Sequence, residues 1–209
     1  SGFVEPLLDK RLYDHIKDLR KNLPNVNLEI ITNGDPLNEK RILKLFDSGL
    51  SVLLISVYDG EKEANEFKKI FDKCKIPEHK YVIRKRYLSE EENFGITISN
   101  RGGMLENTPF KIPALKKSIA KPCNYPAYNF FIDYNGDVLI CSHDWGKKNI
   151  VGNLNEKTIE ELWTNKIYND SRKKLFKGDR SNSPCNVCDV QGSLIGNKHL
   201  EYWKEKLDE

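Results

Sequence analysis

Phe131-Ile132-Asp133-Tyr134-Asn135-Gly136-Asp137-Val138-Leu139-Ile140-Cys141 decides how the second half of this chain folds. The stretch reads as most of a hairpin spanning about 128–141, with Gly136 five positions before the cysteine. Cys141 is one of four cysteines in this half, with Cys123, Cys185 and Cys188. Seventeen residues lie between the first two, forty-three between Cys141 and Cys185, and the last pair is a C-x-x-C. Four thiolates saturate one tetrahedral metal ion or one cubane cluster. Gaps this wide require the fold, not a local knuckle, to bring them together.

Disulfides fit poorly. Five cysteines is an odd number, the chain is lysine-rich, and no signal peptide opens the sequence. Structural zinc competes on better terms, since C-x-x-C is a common half-site. Zinc ribbons, however, usually carry two such knuckles, whereas Cys123 and Cys141 flank a hairpin. Spacing alone fits zinc and iron–sulfur equally. The fifth thiol, Cys74, continues the apolar stripe of a helix, where a buried and inert thiol is the usual state.

The 209 residues suffice for one large domain or two small ones. A 38% hydrophobic and 31% charged composition is an ordinary soluble balance, which predicts a cytoplasmic protein. The net charge of +3 comes from 34 basic and 31 acidic residues, too even to argue for nucleic acid. No apolar run approaches the ~20 residues of a membrane span. The longest, Val52-Leu53-Leu54-Ile55, suits a buried strand.

Along the first half, helical and strand patterns alternate. Leu8, Leu12, Ile16, Leu19 and Leu23 make a helical stripe over 7–23, ended by Pro24. Residues 28–32 are a short strand punctuated by Asn33-Gly34. Ile42, Leu43, Leu45 and Phe46 face one side of a second helix that stops at Ser48-Gly49. Residues 51–57 form a buried strand closed by Asp59-Gly60. Ala64, Phe67, Ile70, Phe71 and Cys74 share one face of a third helix, and 81–88 is another strand. This order predicts parallel strands with helical crossovers. An irregular stretch over 89–122 contains Arg101-Gly102-Gly103 and three prolines, and the domain boundary is placed in it, near 115. The hairpin follows, then a helix opening at Thr158 with Glu161 completing a capping box, a helix through Arg172 and Phe176 to Gly178, and a terminal helix over about 198–207.

Taken in order, these pieces resemble a known family. Cys123-Asn124-Tyr125-Pro126, the 131–141 stretch, Val151-Gly152-Asn153-Leu154, Thr158-Ile159-Glu160-Glu161-Leu162-Trp163, Arg172 and Pro184-Cys185-Asn186-Val187-Cys188 resemble the SPASM/twitch domains of radical S-adenosylmethionine enzymes. The first half is similar to the later strands of that family's barrel. Ser1-Gly2-Phe3-Val4-Glu5-Pro6-Leu7-Leu8 looks like its G-G-E-P-L segment, Ile31-Thr32-Asn33-Gly34 like the end of its third strand, and Ile55-Ser56-Val57-Tyr58-Asp59-Gly60 like the end of its fourth. The resemblance implies an α/β fold: a partial parallel (β/α) barrel over 1–115, then a small α+β auxiliary domain with a β-hairpin over 116–209. Full SPASM domains have seven cysteines and two clusters. None follows Cys188, so the resemblance is to the single-cluster, twitch-like form. The family's C-x-x-x-C-x-x-C loop precedes G-G-E-P, so the chain is expected to be a truncated piece whose parent carries that loop.

The resemblance implies that Cys123, Cys141, Cys185 and Cys188 hold one auxiliary 4Fe–4S cluster. It implies S-adenosylmethionine in the intact parent, with Glu5 accepting from the methionine ammonium and Asn33 and Ser56 touching the ribose or amino-acid moiety. Functional groups of parallel barrels gather at the C-terminal ends of strands, where all three stand. The plainer readings are a helix-terminal acid, a turn residue and a satisfied strand hydroxyl. Arg84 and Arg86 share one face of their strand by period two, and one of them can grip the methionine carboxylate. Arg101 is a further candidate, and a solvated pair is the plain alternative. His143 and Asp144 fit a supporting or turn role beside Cys141. His15, His79 and the lysines at 116, 117 and 121 read as exposed. The implied activity is a radical-initiated oxidation or modification of a peptide or small alcohol, fed by a flavodoxin- or ferredoxin-type donor. A non-catalytic iron–sulfur module and a structural zinc protein are the rivals.

Overall fold

A computed structural model describes residues 4–89, 92 and 98–208, the last by its backbone alone. Its packing divides the chain into two compact units, one ending at Ile98 and the other beginning at Ser99.

The first unit alternates helix and strand as the periodicities require. A 3-10 turn at Pro6–Leu8 precedes α1 (Leu12–Asn22), β1 (Glu29–Thr32), α2 (Glu39–Asp47), β2 (Val52–Val57), α3 (Glu61–Lys73) and β3 (Tyr81–Lys85). The strands pair in the order β1-β2-β3, all parallel, with Ile31 opposite Leu54 and Ser56 opposite Arg84. Parallel neighbours need crossovers, which α2 and α3 supply. Ile30, Leu53, Ile55 and Val57 alternate onto one face and pack against Ile42 and Leu45 of α2 and Ala64, Phe67 and Phe71 of α3. Each such large side chain contributes roughly 1.5–3 kcal/mol on burial. Asn38 caps α2 by accepting from the Arg41 N–H, and Gly49, at φ +105°, ends the helix. Arg20 fastens this corner, donating from Nε to the Gly49 carbonyl at 3.1 Å and from Nη2 to Ser51 Oγ at 2.7 Å. Among the described residues β1 and β3 are the outer strands, and the sheet does not close into a barrel.

The expected helix over 7–23 is shorter. The Asp9 N–H bonds to the Pro6 carbonyl and the Asp9 carboxylate accepts from the Arg11 N–H, so a separate turn forms and α1 starts only at Leu12. Of the proposed stripe Ile16 is buried, while Leu8, Leu19 and Leu23 are exposed. Leu43 is exposed on α2 as well.

The second unit contains α4 (Tyr125–Tyr128), β4 (Phe131–Ile132), β5 (Asp137–Leu139), β6 (Ile150–Asn153), α5 (Ile159–Trp163), α6 (Lys166–Phe176) and α7 (Asn197–Asp208). The hairpin expected over 128–141 is β4–β5, closed by the Gly136 N–H bonding to the Asp133 carbonyl. β6, which the periodicity did not disclose, adds a third antiparallel strand. The capping box forms as expected: Thr158 accepts from the Glu161 N–H and Glu161 from the Thr158 N–H. Val138, Ile140, Val151, Leu162, Tyr168 and Leu175 make the core.

Residues 99–115 group with this unit rather than with the parallel sheet, ahead of the boundary expected near 115. The reason is hydrogen bonding. Asn100 Nδ2 donates to the carbonyls of Pro113 and Val187, its N–H donates to Asp189 Oδ2 at 2.8 Å, and the Leu115 N–H bonds to the Val187 carbonyl. Among the described residues no helix is long and apolar enough to cross a membrane.

Candidate metal centre and parallel-sheet edge

Three separate elements deliver the four cysteines to one place. Cys123 precedes α4, Cys141 follows β5, and Cys185 and Cys188 lie in the loop between α6 and α7. All four line a single cavity, with Tyr125, Ile140, Leu175 and Arg180 also in its wall. None is in a disulfide. Burial raises the pKa of every one of the four. Cys185 is pushed up to about 12, first by burial and then by Cys123 and Cys188. Cys141 stands well above the ordinary 9.0, and its three partners add to the effect of burial. That mutual repulsion is what four thiols sharing one space produce, and a bound cationic centre reverses it. Among the described residues no three His, Cys, Asp or Glu side chains gather tightly enough to hold a single metal ion. Four soft thiolates lining one cavity fit an iron–sulfur cluster, which takes one cysteine at each iron.

Backbone donors serve three of the sulfurs by one local rule. The N–H two residues downstream points back at the sulfur: His143 to Cys141 at 3.2 Å, Tyr125 to Cys123 and Val190 to Cys188. The loop carrying Cys188 returns past Cys123 at Gly192, φ +74°, where a Cβ would lie 2.5 Å from the Cys123 sulfur. Only glycine fits that approach. Gly102 packs on Pro184 and Gly103 on Val187, so the Arg-Gly-Gly motif braces the C-x-x-C loop.

Arg101 therefore stands in the second unit. Its guanidinium lies over the Trp145 ring and donates to His143 Nδ1 at 3.3 Å. Ser99 Oγ also meets Nδ1, at 2.8 Å, and Tyr125 OH lies 3.1 Å from Nε2. His143 thus has the supporting place expected of it. Asp144 closes a turn, its two oxygens accepting from the Lys148 and Asn149 N–H groups. Cys74 sits at the end of α3, half-buried against the first unit's core. Arg180 escaped notice in the sequence, although it stands five residues before Cys185 and directly follows the Gly178-Asp179 helix stop.

In the first unit the other candidates collect at the C-terminal ends of the strands. Glu5 is occupied: Oε1 accepts from Thr32 Oγ1 at 2.6 Å and from the Leu7 N–H, and Oε2 accepts from the Asn33 N–H at 3.1 Å. It ties the Pro6 turn to the end of β1. Asn33 makes a turn with its own side chain, donating to Asp35 Oδ2 and accepting from the Asp35 N–H. Strand alternation puts Ser56 and Arg84 side by side on the face opposite the helices. Ser56 is buried, and the Arg84 guanidinium has no hydrogen bond or ion pair among the described residues. Burial and the charge of Arg86 lower the Arg84 pKa, and the Glu29 carboxylate offsets them only in part.

Residues 123–189 match the SPASM family, an iron-sulfur cluster-binding domain. The S-adenosyl-L-methionine-dependent 2-deoxy-scyllo-inosamine dehydrogenase of Niallia circulans is 31% identical over 193 residues, covering 90% of this chain and 72% of that protein. Among solved structures, BtrN in complex with AdoMet and 2-DOIA superposes with a TM-score of 0.72 at 28% identity, over 93% of this chain and 74% of that one. An open conformation of BtrN matches at 0.62 and 21% identity, a likeness of fold. On the identity and coverage of these matches, the chain belongs to the radical S-adenosylmethionine proteins that carry a SPASM iron–sulfur domain.

Proposed function

We propose that this chain serves an S-adenosylmethionine-dependent radical oxidation of a small amino- or polyhydroxy-alcohol, with an auxiliary 4Fe–4S cluster held by Cys123, Cys141, Cys185 and Cys188. One observation carries the reading: four cysteines from three elements line one cavity within the SPASM match. Cleaved by one electron from the cluster that the family's C-x-x-x-C-x-x-C loop holds, S-adenosylmethionine would supply a radical that takes a hydrogen atom, and the auxiliary cluster would accept the second electron, which together make a two-electron oxidation of the substrate. The chain's own residues bind and orient. Arg84 offers a half-buried guanidinium, only partly compensated by Glu29, to a carboxylate such as that of the methionine moiety, beside the Ser56 hydroxyl. Glu5 positions the end of β1, keeping Asn33 and Gly34 at the sheet edge. The inosamine dehydrogenase relative favours a small alcohol over a peptide. A flavodoxin- or ferredoxin-type protein is the electron partner this chemistry asks for, and the cytoplasm keeps such thiols reduced.

Anaerobic reconstitution with iron and sulfide tests the metal assignment. About four irons per chain and a broad visible absorbance are expected from a Cys₄ cluster. One zinc per chain and no iron would overturn it. Calorimetry in the presence of S-adenosylmethionine tests the substrate class: saturable binding of 2-deoxy-scyllo-inosamine is expected, and binding of a peptide in its place would reject the small-alcohol reading.

A further inference from the structure

We infer that Arg180 tunes the reduction potential of the auxiliary cluster, acting as a fixed positive charge in the cavity wall while it joins the chain segments that carry Cys123 and Cys188. The inference rests on the assignment of the four cysteines to a cluster. Arg180 is only 3% exposed and lines the same cavity as the four sulfurs. Its fork reaches backbone carbonyls on both sides. Nε donates to Lys121 at 2.9 Å and Nη2 to Pro122 at 3.0 Å, just before Cys123. Nη1 donates to Val190 at 2.6 Å and Nη2 also to Gln191, just after Cys188. A Cβ at Gly192 would sit between charge and sulfur. Nη2 of Arg180 and the sulfur of Cys123 both lie within 3.2 Å of that point.

The direction of the effect follows from electrostatics. Four thiolates make the centre anionic, and each added electron makes it more so. A buried cation beside it is weakly screened and favours the reduced form, which raises the potential. Arg180's hydrogen-bond partners are carbonyls rather than a carboxylate, so none of its own hydrogen bonds neutralises it, although Asp144 in the same cavity wall opposes its charge.

The test is a dye-mediated potential titration of the reconstituted chain, followed by electron paramagnetic resonance, with R180Q and R180K beside the unsubstituted protein. Glutamine keeps amide donors without charge, and lysine keeps charge without the fork. R180Q is expected to shift the one-electron equilibrium at least tenfold toward the oxidised cluster, about 59 mV more negative. R180K is expected to move by less than half of that. Loss of iron from R180Q alone would show a role in holding the cluster rather than in setting its potential, and would overturn the tuning. Full iron with an unshifted potential in R180Q, equal shifts in both variants, or loss of iron from both would overturn it. Failure of the underlying cluster assignment is distinct: the unsubstituted chain would then take up no iron and sulfide.

Discussion

The guanidinium carbon of Arg172 lies 3.7 Å from the centre of the Trp203 ring, with the Trp163 and Tyr168 rings at 4.1 and 4.3 Å. A fully buried cation on α6 is thereby wrapped by aromatics from α5, α6 and the terminal helix α7. Nε donates to the Pro126 carbonyl and Nη1 to the Trp163 carbonyl and Asn169 Oδ1. Burial is costly, pulling the Arg172 pKa down to about 10. The contacts outweigh it: a desolvated cation–π contact is worth about 2 kcal/mol and each orphaned carbonyl costs about 1–3 kcal/mol. Arg172→Met is expected to destabilise the second unit by about 3 kcal/mol on these grounds, read as a lower urea midpoint in tryptophan fluorescence. An unchanged midpoint would show that the cage is incidental.

Replacing Cys123, Cys141, Cys185 or Cys188 singly by Ala is expected to lower iron content after reconstitution and to reduce the protection of the second unit in hydrogen exchange. Ligation energy is folding energy in small metal domains, so both readouts should move together. Cys74→Ala is expected to leave iron unchanged, because that residue ends α3 in the other unit and packs on its core. Iron loss from the Cys74 variant equal to that from the others would break the assignment.

How much of this was legible depended on whether the signal was local. The alternation of apolar stripes and strands gave the parallel order because period 3.6 and period 2 are written in consecutive residues. The Thr158–Glu161 box was equally local. The four cysteines were legible as a set, since thiols are few and their chemistry is narrow. Other features were not. β6 is four residues long and reads as a strand only when β5 lies beside it. The boundary at Ser99 depends on Asn100 reaching residues near 187, a partner that no window along the chain contains. Arg180 looked like any surface arginine until its four carbonyl acceptors were assembled around it. Leu19 and Leu23 kept the helical period yet lie exposed, because period marks a face without saying what covers it.

Thr158→Ala is expected to cost about 1 kcal/mol, the usual worth of a helix cap. The effect should also depend on pH. Hydrogen bonds from the Thr158 N–H and hydroxyl hold the Glu161 carboxyl below its ordinary 4.5. A lowered folded pKa means the unfolded chain binds more protons in that window, so this stabilisation is fully present above 4.5 and is lost as pH falls through the folded value. Melting Glu161→Gln beside the parent at several pH values checks it. The two curves should converge on acidification, and a gap that stays constant would refute the coupling.

Arg84 and Asn33 make the sharpest contrast at the sheet edge. Both stand at C-terminal strand ends, and from sequence both were assigned to the cofactor. Asn33 already uses its amide and carbonyl within its own turn, so Asn33→Ala should loosen that turn and lower thermal stability. Arg84 has no hydrogen bond among the described residues, only a Coulombic attraction to Glu29, so removing it takes away little native interaction. Arg84→Met is therefore expected to leave stability unchanged, or to raise it slightly by relieving a half-buried charge. It should weaken S-adenosylmethionine binding at least tenfold, about 1.4 kcal/mol, which is modest for a charge-assisted fork. Calorimetry and melting on the two variants separate the roles. A destabilised Arg84→Met with normal affinity, or an Asn33→Ala that loses affinity while keeping its melting point, would reverse the assignment.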